Sequence, residues 1–493
     1  MENIENITLL CPAIRGLAAS SEMKSSGGDP YLIGMDVGTT GTKTKLFSLS
    51  GSSARQSWVG HPANSYPGGG AVEQHPEVWW SAAKASLRAV TGRRSADKIK
   101  AIGVTGLALT TVLIGKGGRT LRKAMLYSDT RHRQYGAKLA SMVAKPGYGT
   151  LKHFGDVMWT MKNEGLSAED VSIATDALGF ICFKLTGRAA FDNYLMPEAQ
   201  VDELGPRLGL PGGCFGASHG YTDVVGRISA SGARDTGLPK GLPVVVGPWD
   251  GMCNIVGSGL TKAGIAADVA GSTEIIAVTT SQKPEIMNLP HMIPGMYFTY
   301  TSPPLGTLHR SFANDFFPSN GRVSPYELLE REAGRSPPGS GGLLFVPRDP
   351  SGRPEQDPTG SFVGVTPKHQ KSDFARAVLE GIAFSVRRAL DTAEEAGVAV
   401  QEVRVSGGGS KSDFWTQIRA DVTGRRFVKM KELETGCLGA AMLAGIGTRI
   451  YNDIGEATSR CVKQARVFIP RASRRQVYDK QYAEFIRASE KLY

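Results

Sequence analysis

The chain is poor in the features that mark several common functional classes. Its six cysteines (Cys11, Cys182, Cys214, Cys253, Cys437 and Cys461) form no Cys-x-x-Cys or Cys-x-x-His pair. That scatter argues against a zinc module and a disulfide scaffold, and it suits a reducing cytoplasm. No apolar run is long enough to cross a bilayer, so no membrane partner is expected. The net charge is +11, yet no run of five or more basic residues accompanies it. The surplus reads as solvated surface that attracts anionic substrates, with no nucleic-acid partner. Neither Gly-x-x-x-x-Gly-Lys-Ser/Thr nor a Gly-x-Gly-x-x-Gly turn between strand and helix occurs, which removes the Walker and dinucleotide sites. Residues 1–30 carry Glu2 and Glu5 where a secretory leader would be basic, and Pro12 and Arg15 break their apolar stretch. They read as a flexible extension.

What the chain does have is length, glycine and a repeat. Its 493 residues exceed one hydrophobic core, so two or three domains are expected. With 41% hydrophobic and 21% charged residues the composition is that of a globular protein, and 61 glycines imply many tight turns. Asp36-Val37-Gly38-Thr39-Thr40-Gly41-Thr42-Lys43 reappears in weaker form as Asp268-Val269-Ala270-Gly271-Ser272-Thr273-Glu274. Each lies between two strand-like segments. Such a turn gathers backbone N–H groups and hydroxyls into a concavity suited to phosphate. Two of them, one per half, suggest a nucleotide held between related domains.

After Pro30 the pattern predicts strands at Tyr31 to Met35 and Thr44 to Leu49, then a loop from His61 to Gly70. A helix from Pro76 to Ala89 follows, with Trp79, Trp80 and Ala83 facing inward. Strands Ile99 to Val104, Thr111 to Ile114 and Ala124 to Tyr127 come next. Residues 130–238 read as mainly helical, and Leu242 to Val246 as a closing strand. The second half repeats the scheme: a Pro- and Gly-rich region over 282–342, a helix from Asp373 to Gly397, and strand Val403 to Val405. Helices around Phe414 and from Gly436 to Gly445 complete it. Alternating strands and helices indicate an α/β architecture, with a boundary near Thr261.

Asp36 ends a strand just before the first turn, where a carboxylate would hold Mg²⁺; the alternative is an ordinary turn residue. Thr39, Thr40, Thr42 and Lys43 favour a polyanion over a plain hairpin. Asp250 follows the apolar strand Val244-Val245-Val246 in Gly247-Pro248-Trp249-Asp250. Beyond the carboxyl end of a strand it could accept the proton of an attacking hydroxyl, or simply cap a helix. Asp129 and Arg131 could hold sugar hydroxyls or form a surface ion pair.

Taken together, the chain resembles the FGGY carbohydrate kinases, which share the ATPase fold of actin and hexokinase. The matching blocks run from Met35-Asp36-Val37-Gly38-Thr39-Thr40 through Val72-Glu73-Gln74-His75-Pro76 and Asp129-Thr130-Arg131 to Gly247-Pro248-Trp249-Asp250. They continue in Ala377-Val378-Leu379-Glu380-Gly381, Ser406-Gly407-Gly408-Gly409-Ser410 and Leu438-Gly439-Ala440-Ala441. The resemblance implies two actin-like (ribonuclease H-like) lobes around a central nucleotide and sugar cleft. Residues 31–261 would bind the sugar and supply the base, and 262–493 would bind ATP. It implies Asp250 as catalytic base, Asp36 and Asp250 facing Mg²⁺, and Gly38, Thr39, Thr40, Thr42 and Lys43 at phosphate. Gly271, Ser272 and Thr273 match the second phosphate loop, with Gly408, Gly409 and Ser410 on the adenosine side. Asp129, Arg131, Trp249 and Leu109 fall on the sugar side.

The expected activity is ATP-dependent phosphorylation of a ketopentose or related open-chain sugar by a cytoplasmic enzyme; a homodimer is left open. The alternatives are a polyol kinase of the erythritol or ribitol type, a sugar-acid kinase, and a catalytically silent sensor. Asp36 and Asp250 argue against the sensor, which needs neither. Ala108 and Leu109 stand where glycerol kinases carry Arg-Glu and xylulose kinases Met-His, so glycerol is disfavoured and the sugar pocket is altered. Ser128 replaces the usual Trp, and the second loop reads Gly-Ser-Thr with its hydroxyls retained.

Overall fold

The computed structural model describes residues 30–92, 96–271, 273–303, 305–319, 321–348 and 359–492. The N-terminal extension up to Asp29 and Ser272 of the second turn lie outside them.

Two sheets carry the fold, and both predicted hairpins form. The first sheet contains β1 (Tyr31–Val37), β2 (Gly41–Ser48), β3 (Ser53–Gly60), β4 (Ile99–Gly106), β5 (Val224–Arg227) and β6 (Pro243–Val246). Its order is β5-β6-β4-β1-β2-β3. The second contains β7 (Ile265–Ala270), β8 (Glu274–Thr280), β9 (Asn288–Pro290), β10 (Tyr297–Thr301), β11 (Glu402–Ser406), β12 (Phe427–Met430) and β13 (Gln464–Phe468). Its order is β9-β10-β8-β7-β11-β12-β13. Apart from β9 the two sheets match strand for strand. In each, a three-stranded antiparallel run is followed by two parallel pairings and an antiparallel edge. The repeat seen in the turns therefore extends to the whole architecture.

The helices that frame the site are α1 (Pro76–Val90), α2 (Tyr148–Asn163), α3 (Ala177–Thr186), α4 (Asp250–Gly257), α5 (Lys371–Glu395), α6 (Asp413–Thr423), α7 (Thr435–Gly447) and α8 (Ile454–Cys461). α1 begins where the sequence says it should: Pro76 sits in its first turn and the His75 side chain accepts from the Glu77 N–H. Trp79, Trp80 and Ala83 are buried, and the Trp79 indole N–H reaches Gln74 at 2.5 Å. Emptying such a site costs about 3–5 kcal/mol. α5 is closed at its start by a Gln370–Asp373 capping box. It stops before Gly397, whose φ of +81° no side chain favours.

Alternation along β1 sends Ile33, Met35 and Val37 into a core with α1 and α3, and Leu32 to the opposite face, against α7. On that opposite face Gly34 and its register partner Gly103 of β4 leave a bare strip. A Cβ on Gly34 would lie 1.8 Å from the Cys437 carbonyl oxygen, and one on Gly103 would lie 2.0 Å from that of Ala440. α7, from the second half, thus rests backbone to backbone on the first sheet. In return α4, from the first half, packs Met252 and Ile255 against Ala267, Val269, Ile275 and Ala277 of the second sheet. The two helices also touch each other: a Cβ on Gly257 would lie 1.9 Å from the Thr435 carbonyl, and one on Gly439 2.1 Å from that of Cys253. Each half lends a helix to the other.

Three stretches carry elements that the sequence reading did not give. Residues 130–238 are mainly helical, as expected, but strands Ile173–Thr175, Ala190–Asp192 and Ala217–His219 interrupt the helices, together with β5. Runs of three or four residues are too short to reveal a period, and a shared core of Phe154, Phe191, Met196 and Phe215 holds them. The Pro- and Gly-rich stretch over 282–342 contains β9, β10 and helices Leu305–Phe316 and Pro325–Ala333. The expected loop from His61 includes a short strand, Ser65–Gly68.

Candidate active site

The strand period that puts Gly34 against α7 also puts Asp36, two residues on, on the face of the crossing helices. The Cβ position of Gly436, in the first turn of α7, is 3.2 Å from Asp36 Oδ2. Asp250 opens α4, with Trp249 rather than Asp250 at the cap position, and its Oδ1 accepts from the Gly251 N–H at 2.8 Å. Asn254 donates to the Asp250 carbonyl at 2.8 Å and accepts from the Thr435 hydroxyl at 2.8 Å. The first turns of α4 and α7 are tied together around both carboxylates.

Burial raises Asp250 to about 7, with the charge of Asp36 adding to the effect. Burial likewise raises Asp36 to about 6, opposed by Lys43 and reinforced by Glu434. The charge of Asp36 makes Asp250 harder to ionise, which places the two carboxylates at one site. Asp36 Oδ1 is buried without a hydrogen-bond partner. An orphaned carboxylate oxygen beside a second, crowded carboxylate fits a divalent cation. Among the described residues no group of three His, Cys, Asp or Glu gathers as ligands. A cation here would rest on one or two carboxylates, leaving the rest of its shell to phosphate and water, as Mg²⁺ prefers.

Two aromatic hydroxyls that sequence reasoning gave no role close the site. Tyr127 is raised by burial, lowered by a hydrogen bond with Thr39 and raised by the charge of Asp250. Tyr300, from β10 of the second half, is raised by burial and then by Asp250. Its ring stands edge-on to Trp249 at 5.0 Å and 82°. The Trp249 Nε1–H is buried with no acceptor. Ala108 packs against the same cluster, and Leu109 beside it holds φ +55°. That is an uncommon backbone for leucine, and such strain tends to collect at functional sites.

The remaining expected residues divide. Gly38 closes its turn by donating to the Gly41 carbonyl at 3.1 Å, and Thr40 is exposed. Thr42 does not join them: it is fully buried, and its hydroxyl is 3.0 Å from His61 Nε2. One residue along a strand reverses the face, which explains the miss. Lys43 is not a free phosphate ligand either, since its ammonium pairs with Glu434 at 2.6 Å across 391 residues of sequence. On the second side Gly271 is exposed and Thr273 half-buried. The Gly407–Gly409 turn packs on Ala270 at the foot of that loop: Gly407 has φ +80°, and a Cβ on Gly409 would lie 2.8 Å from Ala270 Cβ. Gly408 is open, while the Ser410 hydroxyl is buried and closes its own turn on the Gly407 carbonyl at 2.7 Å.

Asp129 and Arg131 form the ion pair that was one of the two expectations, but inside the fold rather than on its surface. Asp129 is fully buried; its carboxylate accepts from the Val72 N–H at 3.0 Å and from the Arg131 backbone and guanidinium at 2.6–3.1 Å. Arg131 also bonds Glu73 at 2.6 Å and stacks 4.1 Å above the Trp159 ring. Together they form an internal staple.

Two matched lobes, a helix exchanged in each direction, and paired carboxylates where the helix starts meet define a phosphotransferase of the actin-like fold. The chain belongs to the FGGY family of carbohydrate kinases: the family's N-terminal domain matches residues 31–164 and its C-terminal domain residues 306–448. It is 26% identical to a xylulose kinase of Staphylococcus epidermidis over 92% of this chain and 95% of that one. It is 25% identical to a gluconokinase of Bacillus subtilis over 84% and 86%. The crystal structure of xylulose kinase from Rhodospirillum rubrum superposes with a TM-score of 0.76 at 25% identity, covering 94% of this chain and 99% of that one. The protein is a carbohydrate kinase that uses ATP and acts on a small-molecule sugar. Among the described residues no helix is long and apolar enough to cross a membrane.

Proposed function

We propose that the protein transfers the γ-phosphoryl group of ATP to a hydroxyl of a neutral ketopentose or related open-chain sugar, with Asp250 as the general base. The observation that carries this reading is the Asp36–Asp250 pair. At about 7, Asp250 is poised to take a hydroxyl proton at neutral pH, whereas an ordinary aspartate would be too weak a base. Asp36, with its unpartnered Oδ1, is assigned to Mg²⁺, with Asp250 beside it. When bound, the ion would neutralise charge on the transferring phosphoryl group. Gly38, Thr39 and Thr40 would hold phosphate from one side and Gly271 and Thr273 from the other. Gly408 and Gly409 would lie along the adenosine. Tyr127, Trp249, Leu109 and Tyr300 would form the sugar wall, and the Trp249 Nε1–H gains an acceptor once a sugar hydroxyl is bound.

The relatives include both a xylulose kinase and a gluconokinase. A sugar acid needs a cation for its carboxylate. Lys43 is held by Glu434 and Arg131 by Asp129 and Glu73, which favours an uncharged acceptor. A coupled ADP-release screen over ketopentoses, alditols and sugar acids tests this. Turnover with ketopentoses is expected; a clear preference for gluconate would replace the reading with the sugar-acid one, and a flat response would favour a sensor.

A further inference from the structure

The helices that open onto the catalytic carboxylates end at a second place where the lobes meet. Gly436 beside Asp36 and Ile446 near the other end of α7 are ten residues apart, about 15 Å along the axis. There a cavity of about 920 Å³ is lined by both halves of the chain. Tyr221 and Thr222 come from the first half, Lys262 from the strand entry after α4, Met292 and Ile293 from the β9–β10 connection, and Ile446 and Ile454 from α7 and α8. The end of α7 abuts the first half directly, since a Cβ on Gly447 would lie 2.1 Å from the Thr222 carbonyl oxygen. None of these residues belongs to the catalytic site.

The chemistry of the walls narrows the occupant. Met292, Ile293, Ile446 and Ile454 provide apolar surface, and the volume falls in the range of small-molecule sites, which favour domain interfaces. The charge at the rim is unbalanced in effect. Asp453 is committed to capping α8, accepting from the Glu456 N–H at 2.8 Å. Lys262 is exposed, and among the described residues its ammonium has no carboxylate partner. We propose that this cavity binds a small amphiphilic anion, an apolar body with one acidic group directed at Lys262, and that its occupancy is coupled to lobe closure. The coupling follows from the lining: a ligand touching both halves at the far ends of the shared helices has an affinity that depends on the angle between them. Whatever changes that angle at the nucleotide end must change affinity here, and the reverse.

The test uses the full chain and 8-anilinonaphthalene-1-sulfonate as the probe, read by its fluorescence. One saturable site per chain is expected. Lys262→Glu and, separately, Ile454→Trp should each weaken it by about tenfold or more, while sugar-kinase turnover and the melting temperature stay near wild type. Saturating Mg·ADP should shift the probe's Kd by about fivefold or more, and the probe should shift the Kd of ADP by the same factor. Wild-type probe affinity in both variants would remove the site. Probe binding that ignores ADP would remove the coupling. Both readouts are independent of which sugar the enzyme accepts.

Discussion

The two glycine and hydroxyl turns look like copies in sequence, yet their aspartates do opposite work. Each keeps one buried oxygen without a hydrogen-bond partner, but Asp36 faces the crossing helices. Asp268 faces the other way, into a core beside Val405, where Arg419 holds it at 2.5 Å and holds Glu274 at 2.5 Å as well. The cause is register. In the first hairpin the last paired residues are Val37 and Thr42; in the second they are Ala270 and Glu274. Counting back from the turn, the position of Asp36 is taken by Val269, whose strand partner Ser406 lies 3.0 Å from the Thr435 hydroxyl at the start of α7. A shift of one residue turns a site carboxylate into a structural one. The two turns therefore share the cradle, and only one of them has its acid facing the cleft.

The largest effect that could break this comparison is catalytic. Asp250→Asn and Asp36→Asn should each lower kcat by about 10²–10⁴-fold in a coupled ADP assay, with the fold intact by circular dichroism. Near-normal turnover in Asp250→Asn would end its assignment as the base. On the other hairpin, Arg419→Met leaves two buried carboxylates without a counter-charge. It should cost about 3–5 kcal/mol in urea denaturation; a loss below 1 kcal/mol would mean that the cluster is not a clamp. A third measurement sharpens the contrast through pH. Asp250 is raised in the folded state, so the native protein binds more protons than the unfolded chain between the ordinary aspartate value and about 7. Its contribution to stability therefore falls as pH rises through that window. Asp250→Asn should stabilise the fold at pH 8 by on the order of 2 kcal/mol, and the gain should vanish near pH 4. The smallest effect is expected at Ser410. Ser410→Ala removes a bond internal to its turn and should cost about 1 kcal/mol while changing the KM for ATP by less than about threefold. A much larger change in KM would restore Ser410 as a nucleotide ligand.

Much of this was legible because it is local. Both hairpins, α1 with its capped Pro76 and inward tryptophans, and α5 up to Gly397 follow from period and punctuation within single segments. Asp36 and Asp250 were legible because each lies at or shortly beyond the end of an apolar strand. What escaped is what needs a distant partner. The Lys43–Glu434 pair spans 391 residues, and the Asp129–Arg131 staple depends on Glu73 and Trp159. Thr42 failed for a subtler reason, the same one that separates Asp268 from Asp36: a motif read as letters carries no face, and the face is decided by where the ladder ends. Tyr300 lies in a stretch whose glycine and proline content hid β10.

The exchange of α4 and α7 also bears on how the polypeptide can be divided. A cut at Thr261 falls between α4 and β7 and looks like a natural seam, yet it would strip each half of the helix that covers its sheet. Leu32, Ala101 and Val245 on one side, and Ala267 and Ala277 on the other, would be laid open to water. Expressed singly, such fragments should aggregate; produced together, they should reassemble. The kinase is thus two repeats in architecture whose sheets are each covered by the other's helix.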